Sequence, residues 1–177
     1  MIISQGQEAI NAARELTAKS EIKQIRLRQC RAQLQGEETQ LKAPFGLAEA
    51  HNTTANFIDN MLRVEVAFNF QAFDASDGKV PLFFIECSFE LDYEVQKEYT
   101  PDREALDAFK DGNAVFNCWP YARECVQSMT SRMALHPPPL PLLRVIPKPK
   151  SKTKTKVTPE SPSAPPSPAP TEPIADT

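Results

Sequence analysis

The sequence predicts an α+β subunit: an antiparallel sheet of about four strands packed against one long helix, with a disordered C-terminal tail. Three observations carry that reading. Residues 61–73 and 82–95 alternate apolar and polar side chains with a period of two, the mark of half-buried strands. Residues 115–133 repeat apolar positions at three- and four-residue steps, the mark of a helix with one buried side. Beyond Ile146, 9 of the 32 residues that close the chain from position 146 are proline. Such a segment buries too little apolar surface to offset its ordering entropy. The chain therefore divides into an N-terminal helix at 1–19, a folded domain at 20–145 and a Lys/Pro-rich tail at 146–177.

Residues 4–19 read as a short helix. Ser4 with Gln7 three positions on has the form of a capping box, and Ile10, Ala13 and Leu16 fall on one side. From Glu21 the pattern becomes extended. Ile25 and Leu27 alternate with polar neighbours, and Cys30, Ala32 and Leu34 continue on the opposite parity. A one-residue change of parity predicts a bulge within the strand. In 36–56, Pro44, Phe45 and Leu47 fit a short edge strand, and His51 to Thr54 reads as loop.

The clearest strands follow. Leu62, Val64, Val66, Phe68, Phe70 and Ala72 point one way, against Arg63, Glu65, Asn69 and Gln71. Asp77-Gly78 marks a hairpin turn. Phe83, Ile85, Cys87, Phe89, Leu91, Tyr93 and Val95 then form a dry face, and Glu86, Ser88, Glu90, Asp92 and Glu94 an acidic face expected to be wet. Pro101 ends the strand. A short helix is expected over 102–111, closed by Gly112-Asn113, and a longer one to about Met133, with Pro120 in its first turn or at a kink. Pro137, Pro138, Pro139 and Pro141 stop helix formation.

Composition excludes more than it assigns. No apolar run approaches the roughly 20 residues that span a bilayer, so no membrane insertion is expected. The start of the chain lacks the basic and apolar blocks of a signal peptide, which makes the cytoplasm the expected compartment. Four cysteines without a CxxC pair, and two histidines, offer no metal spacing, so no metal and no cofactor are expected. The thiols read as small apolar core residues. No nucleophile–histidine pair or glycine-rich phosphate loop stands out, so no catalytic residue and no enzyme activity are expected. Positions 146–177 hold five lysines and three acids, leaving 15 basic and 20 acidic residues in 1–145. A body of net charge −5 argues against nucleic acid as a partner.

Phe116-Asn117-Cys118-Trp119-Pro120-Tyr121-Ala122-Arg123-Glu124-Cys125 resembles the start of the long helix in bacterial SecB chaperones, and Val126 to Arg132 is similar to its continuation. Phe84-Ile85-Glu86-Cys87 is similar to that family's apolar-acidic strand. The likeness spans about 20–145 and is specific over 116–132. The chain departs from the family in three places. It has no second C-terminal helix, Ser88 to Asp92 replace a glycine-containing stretch, and the second strand region matches poorly. The resemblance implies a molecular chaperone that holds non-native or precursor polypeptides, for export through the Sec translocase with SecA as its docking partner. It also implies a homotetramer built as a dimer of dimers. Some relatives look dedicated to one client, such as the antitoxin of a toxin–antitoxin pair, and a plain one-partner adaptor is the competing reading.

Client binding needs exposed apolar surface of adaptable shape. The residues flanking the sheet and the long helix supply the candidates: Phe45, Leu47, Phe109, Leu135, Leu140, Leu142 and Leu143. Ordinary core burial is the alternative for each. The resemblance gives translocase docking to Glu86, with Phe84 beside it, against the alternative of a solvated sheet face. The helix stripe Cys118, Ala122, Cys125, Val126 and Met129 is expected to pack a core or an oligomer interface.

Overall fold

The computed structural model describes residues 2–35, 45–74 and 81–147. The expected Asp77-Gly78 turn and the body of the Lys/Pro tail lie outside the described residues. A short strand β1 (Ile2–Gln5) leads into helix α1 (Gln7–Ala18), followed by four long strands: β2 (Ser20–Leu34), β3 (Phe45–Ile58), β4 (Met61–Asp74) and β5 (Pro81–Val95). Helix α2 (Arg103–Phe109) runs through a π-turn (Lys110–Ala114) into α3 (Val115–Arg132), and β6 (Arg144–Pro147) ends the described chain. The four long strands form one antiparallel sheet in the order β2-β5-β4-β3, and β1 pairs with β6 in a separate parallel ribbon.

The alternation in 61–73 and 82–95 places the core where the sequence puts it. Leu62, Val64, Val66, Phe70 and Ala72 of β4, with Phe83, Ile85 and Leu91 of β5, have no exposed surface. Helix α3 lies on this inner face. The Trp119 ring meets Phe68 and Phe70 at centroid separations of 5.9 and 6.1 Å, and its Nε1–H donates to the Pro141 carbonyl at 3.0 Å. The parity change within 21–34 is a bulge: the β2–β5 register shifts between Leu27 and Gln29, and again between Ile22 and Gln24. Cys30, Ala32 and Leu34 therefore share the inner face with Ile25 and Leu27.

Four expectations are corrected. First, residues 51–54 are not loop. They lie in the middle of β3, which pairs with β4 from Phe45 opposite Asp74 to Ile58 opposite Met61 without a register shift. β3 is an edge strand, so its register comes from β4 and from the turn at Asp59 and Asn60. Both turn residues have positive φ (50° and 63°), as a two-residue type I′ hairpin requires. Second, Ser4 belongs to β1, and α1 starts after Gly6 with no side-chain cap. Third, Gly112-Asn113 do not end a helix; they belong to the π-turn that carries α2 into α3. Asp102 does cap α2, accepting from the Ala105 amide at 2.7 Å. Fourth, the acidic side of β5 is partly dry, since Ser88 and Asp92 are each 8% exposed.

Helix α3 closes with Ala134 in the left-handed region (φ 58°) and with Leu135 N donating to the Thr130 carbonyl at 2.9 Å. That is the Schellman arrangement, which glycine fits without strain. Ala134→Gly is expected to raise unfolding stability by about 1 kcal/mol in denaturant titration. Phe109 is 1% exposed and meets the Tyr93 ring edge-on at 4.9 Å. Phe109→Ala is expected to cost about 3–5 kcal/mol in the same measurement.

Candidate functional site

Helix α3 covers β4 and β5 closely and β2 only in part. Along the uncovered side runs a groove of about 390 Å³ between the inner face of β2 and one flank of α3. Ile25, Leu27 and Phe89 form its floor on the sheet side. Tyr121, Cys125 and Met129 form its helix wall, and Glu124 and Arg132 stand at the margin. The helix spacing explains the wall: positions 121, 125, 128, 129 and 132 lie on one flank, beside the buried stripe. Leu27 is 56% and Tyr121 47% exposed, so large apolar side chains remain open to solvent here. Ile22 and Leu34 extend the same inner face of β2 in both directions and are each 41% exposed. β2 is also a sheet edge. Among the described residues no strand pairs with its outer side.

Most of the residues named from sequence for client binding lie elsewhere. Phe109, Leu140 and Leu143 are buried in the core, and Phe45, Leu47 and Leu135 are partly buried against it. Phe45 meets the Phe83 ring edge-on at 5.4 Å. Only Leu142, at 69% exposure, is open. The segment after α3 folds back along the helix, fixed by the Trp119–Pro141 hydrogen bond, and so takes up the apolar flank it would otherwise offer. In the helix stripe, Cys118, Ala122 and Val126 have no exposed surface and Cys125 has 5%, while Met129 is partly buried and reaches the groove. The groove-lining Ile25, Leu27, Phe89 and Tyr121 were not singled out from sequence. The parity change in β2 and the placement of Tyr121 one turn from Cys125 were the available signals.

The outer sheet face is polar. A shallow saddle of about 350 Å³ crosses the strands where Ala50, Ala67 and Ser88 are small, with Asn52, Asn69 and Glu86 around them. Glu86 accepts from Asn69 Nδ2 at 3.3 Å, and Phe84 lies under the Arg31 guanidinium, 5.1 Å from the ring centroid. Both residues are half-buried and outside the core. Glu90 and Asp92 differ. Arg26 of β2 bonds both carboxylates, reaching Asp92 at 2.7 Å, and Arg63 of β4 bonds Asp92 at 2.8 Å. These carboxylates hold strands together.

Three thiols gather beside the groove. Cys30 Sγ and Cys125 Sγ lie 3.3 Å apart, and Cys125 also hydrogen-bonds Cys87. Burial, with the hydrogen bond to Cys125, pushes the Cys30 thiol up to about 11, and burial alone pushes Cys118 up to about 12. No group of three or more His, Cys, Asp or Glu among the described residues is arranged to hold a metal ion. No described helix is long and apolar enough to cross a membrane.

A four-stranded antiparallel sheet carrying a short and a long helix on one face is a SecB-like α+β fold. It is similar to that of the Mycobacterium tuberculosis SecB-like chaperone solved in complex with a ChAD peptide from the HigA1 antitoxin. The TM-score is 0.67 at 20% identity, over 77% of this chain and 98% of that one. A protein of unknown function from Streptococcus agalactiae is a more distant likeness, with a TM-score of 0.43 at 10% identity over 67% of this chain and 92% of that one. No protein-family model and no curated protein matches the sequence.

The roles of Asp92 and Glu86 on β5 are separable by experiment. Asp92→Asn is expected to lower stability by about 1–3 kcal/mol, because it weakens charge-assisted bonds to two arginines. Glu86→Ala is expected to stay within about 0.5 kcal/mol of the parent in the same denaturant titration.

Proposed function

We propose that this chain is an ATP-independent chaperone that holds extended segments of non-native polypeptide in the groove between β2 and α3. The observation that carries the reading is the open apolar floor and wall of that groove, set against a strand with an unpaired edge. An extended client can pair its backbone with the edge of β2 while alternate side chains meet Leu27, Tyr121 and Met129. Unbranched methionine and exposed aromatics suit a surface that accepts many sequences. The mycobacterial protein of similar fold was solved with a peptide from an antitoxin, which supports a polypeptide as the partner here.

That same peptide supports a second reading, a chaperone or adaptor dedicated to one partner. Export through the Sec translocase, in the cytoplasm and with docking by SecA, is a finer version of the first reading. Glu86 and Phe84, side by side on the outer sheet face and free of the core, are its candidate contacts. A homo-oligomer, such as a tetramer made as a dimer of dimers, fits the half-exposed Ile22 and Leu34 of β2, outside the groove lining. In α3 it would draw on the exposed Phe116, since Cys118, Ala122 and Val126 are already enclosed. The chemistry is holding alone and calls for no cofactor, metal or catalytic group.

The purified chain is expected to suppress aggregation of a chemically unfolded, unrelated protein at near-stoichiometric ratios, measured by light scattering. Leu27→Asp combined with Tyr121→Ser should abolish most of that suppression while leaving the unfolding midpoint close to the parent's. A parent protein without suppression would reject the generalist reading in favour of a dedicated partner. Full suppression by the double variant would place the client elsewhere.

A further inference from the structure

Cys30 and Cys125 belong to elements that share no stretch of chain, 95 positions apart, and their sulfurs approach to 3.3 Å. Cys30 lies on the inner face of edge strand β2, the next inward-facing residue after Leu27. Cys125 stands on α3 in the groove wall, one turn from both Tyr121 and Met129. Cys87, opposite Cys30 on β5, completes the cluster but is only 2% exposed. Cys30 is half-buried where Cys87 and Cys125 are buried, and is therefore the thiol that a dissolved oxidant reaches first. A disulfide needs the sulfurs to close to about 2.05 Å, a movement of little more than an ångström.

We propose that Cys30 and Cys125 are an oxidisable pair whose disulfide ties β2 to α3 and narrows the groove against polypeptide. The oxidant class is a hydroperoxide. The Cys30 thiol gives up its proton and its sulfur attacks the peroxide; the O–O bond breaks, leaving a sulfenic acid at Cys30 and a hydroxide that takes up that proton as the first water. The Cys125 sulfur then attacks Cys30, the S–O bond breaks, and the second water leaves. Two thiols and one hydrogen peroxide thus give one disulfide and two waters, with two electrons passing from sulfur to oxygen. A dithiol reductant reverses the change by exchange. Because burial keeps the Cys30 thiol protonated at neutral pH, the pair answers sustained rather than brief oxidation. The link joins β2 to α3 beside the groove and draws its sheet and helix sides together, leaving less room for an incoming segment.

The effect on binding rests on the groove reading above, whereas the bond itself does not, so the test separates them. The full chain is treated with hydrogen peroxide and mapped as non-reduced peptides by mass spectrometry. Its affinity for reduced, carboxymethylated α-lactalbumin is measured before oxidation, after it, and after dithiothreitol. The expected result is a Cys30–Cys125 peptide pair within one chain, a raised denaturant midpoint, and affinity for the unfolded probe reduced at least threefold and restored by reductant. Cys30→Ser should bind the probe like the parent and show no response to peroxide. A Cys30–Cys87 link, a link between chains, or sulfinic acid at Cys30 without a disulfide would overturn the assignment. So would a formed Cys30–Cys125 bond that leaves both affinity and midpoint unchanged. If the reduced chain does not bind the probe, the groove reading fails, and the peptide map with the midpoint alone decides the pair.

Discussion

The structure depends on the register with which β5 is held between β2 and β4. Arg26 stands opposite Glu90, and Arg63 opposite Asp92, so each neighbouring strand carries a cation to a carboxylate of the central one. On the other face the same register stacks Val64 beside Leu91 and Phe70 beside Ile85. A slip of one residue would turn the apolar row outward and leave Asp92 buried without its arginines. Polar and apolar faces thus enforce the same alignment, and consistency of that kind is what makes a single sheet the preferred state.

Once the register is fixed, the uneven cover of the sheet follows from the number of helices. One long helix cannot blanket four strands of 14 or 15 residues. Helix α3 sits where the aromatic cluster of Phe68, Phe70 and Trp119 draws it, over β4 and β5. The β3 side is met by the π-turn, where Asp111 and Lys110 bond Thr53, while Phe45 and Leu47 pack against the core. Among the described residues the β2 side has no such cover, and its apolar inner face meets the helix across an open groove. Exposed apolar surface here is therefore a geometric remainder of the fold. Its size, and an edge that no strand among the described residues covers, are what the proposed holding of other chains draws on.

Much of the fold was legible in the sequence. The period-two runs at 62–72 and 83–95 name the core directly, and the parity change between Leu27 and Cys30 announces a bulge that the β2–β5 pairing contains. The long-helix spacing at 115–133 was equally plain. What escaped depends on partners. Residues 51–54 of β3 carry no alternation of their own, because an edge strand can take its register from its neighbour and from the Asp59-Asn60 turn. The outer face of β5 reads as wet until the arginines of β2 and β4 are set opposite it. The groove was hardest to see. Exposure of Leu27 and burial of Leu140 are decided by where α3 and the returning segment lie, and spacing within one element does not encode that.

Hydrogen exchange on the full chain, with and without a saturating unfolded polypeptide, tests the central claim most directly. Slowed exchange is expected only in β2 and in the flank of α3 from Tyr121 to Arg132, with β3 unaffected. Slowed exchange along β3 and the segment after Ala134, with β2 unchanged, would contradict it.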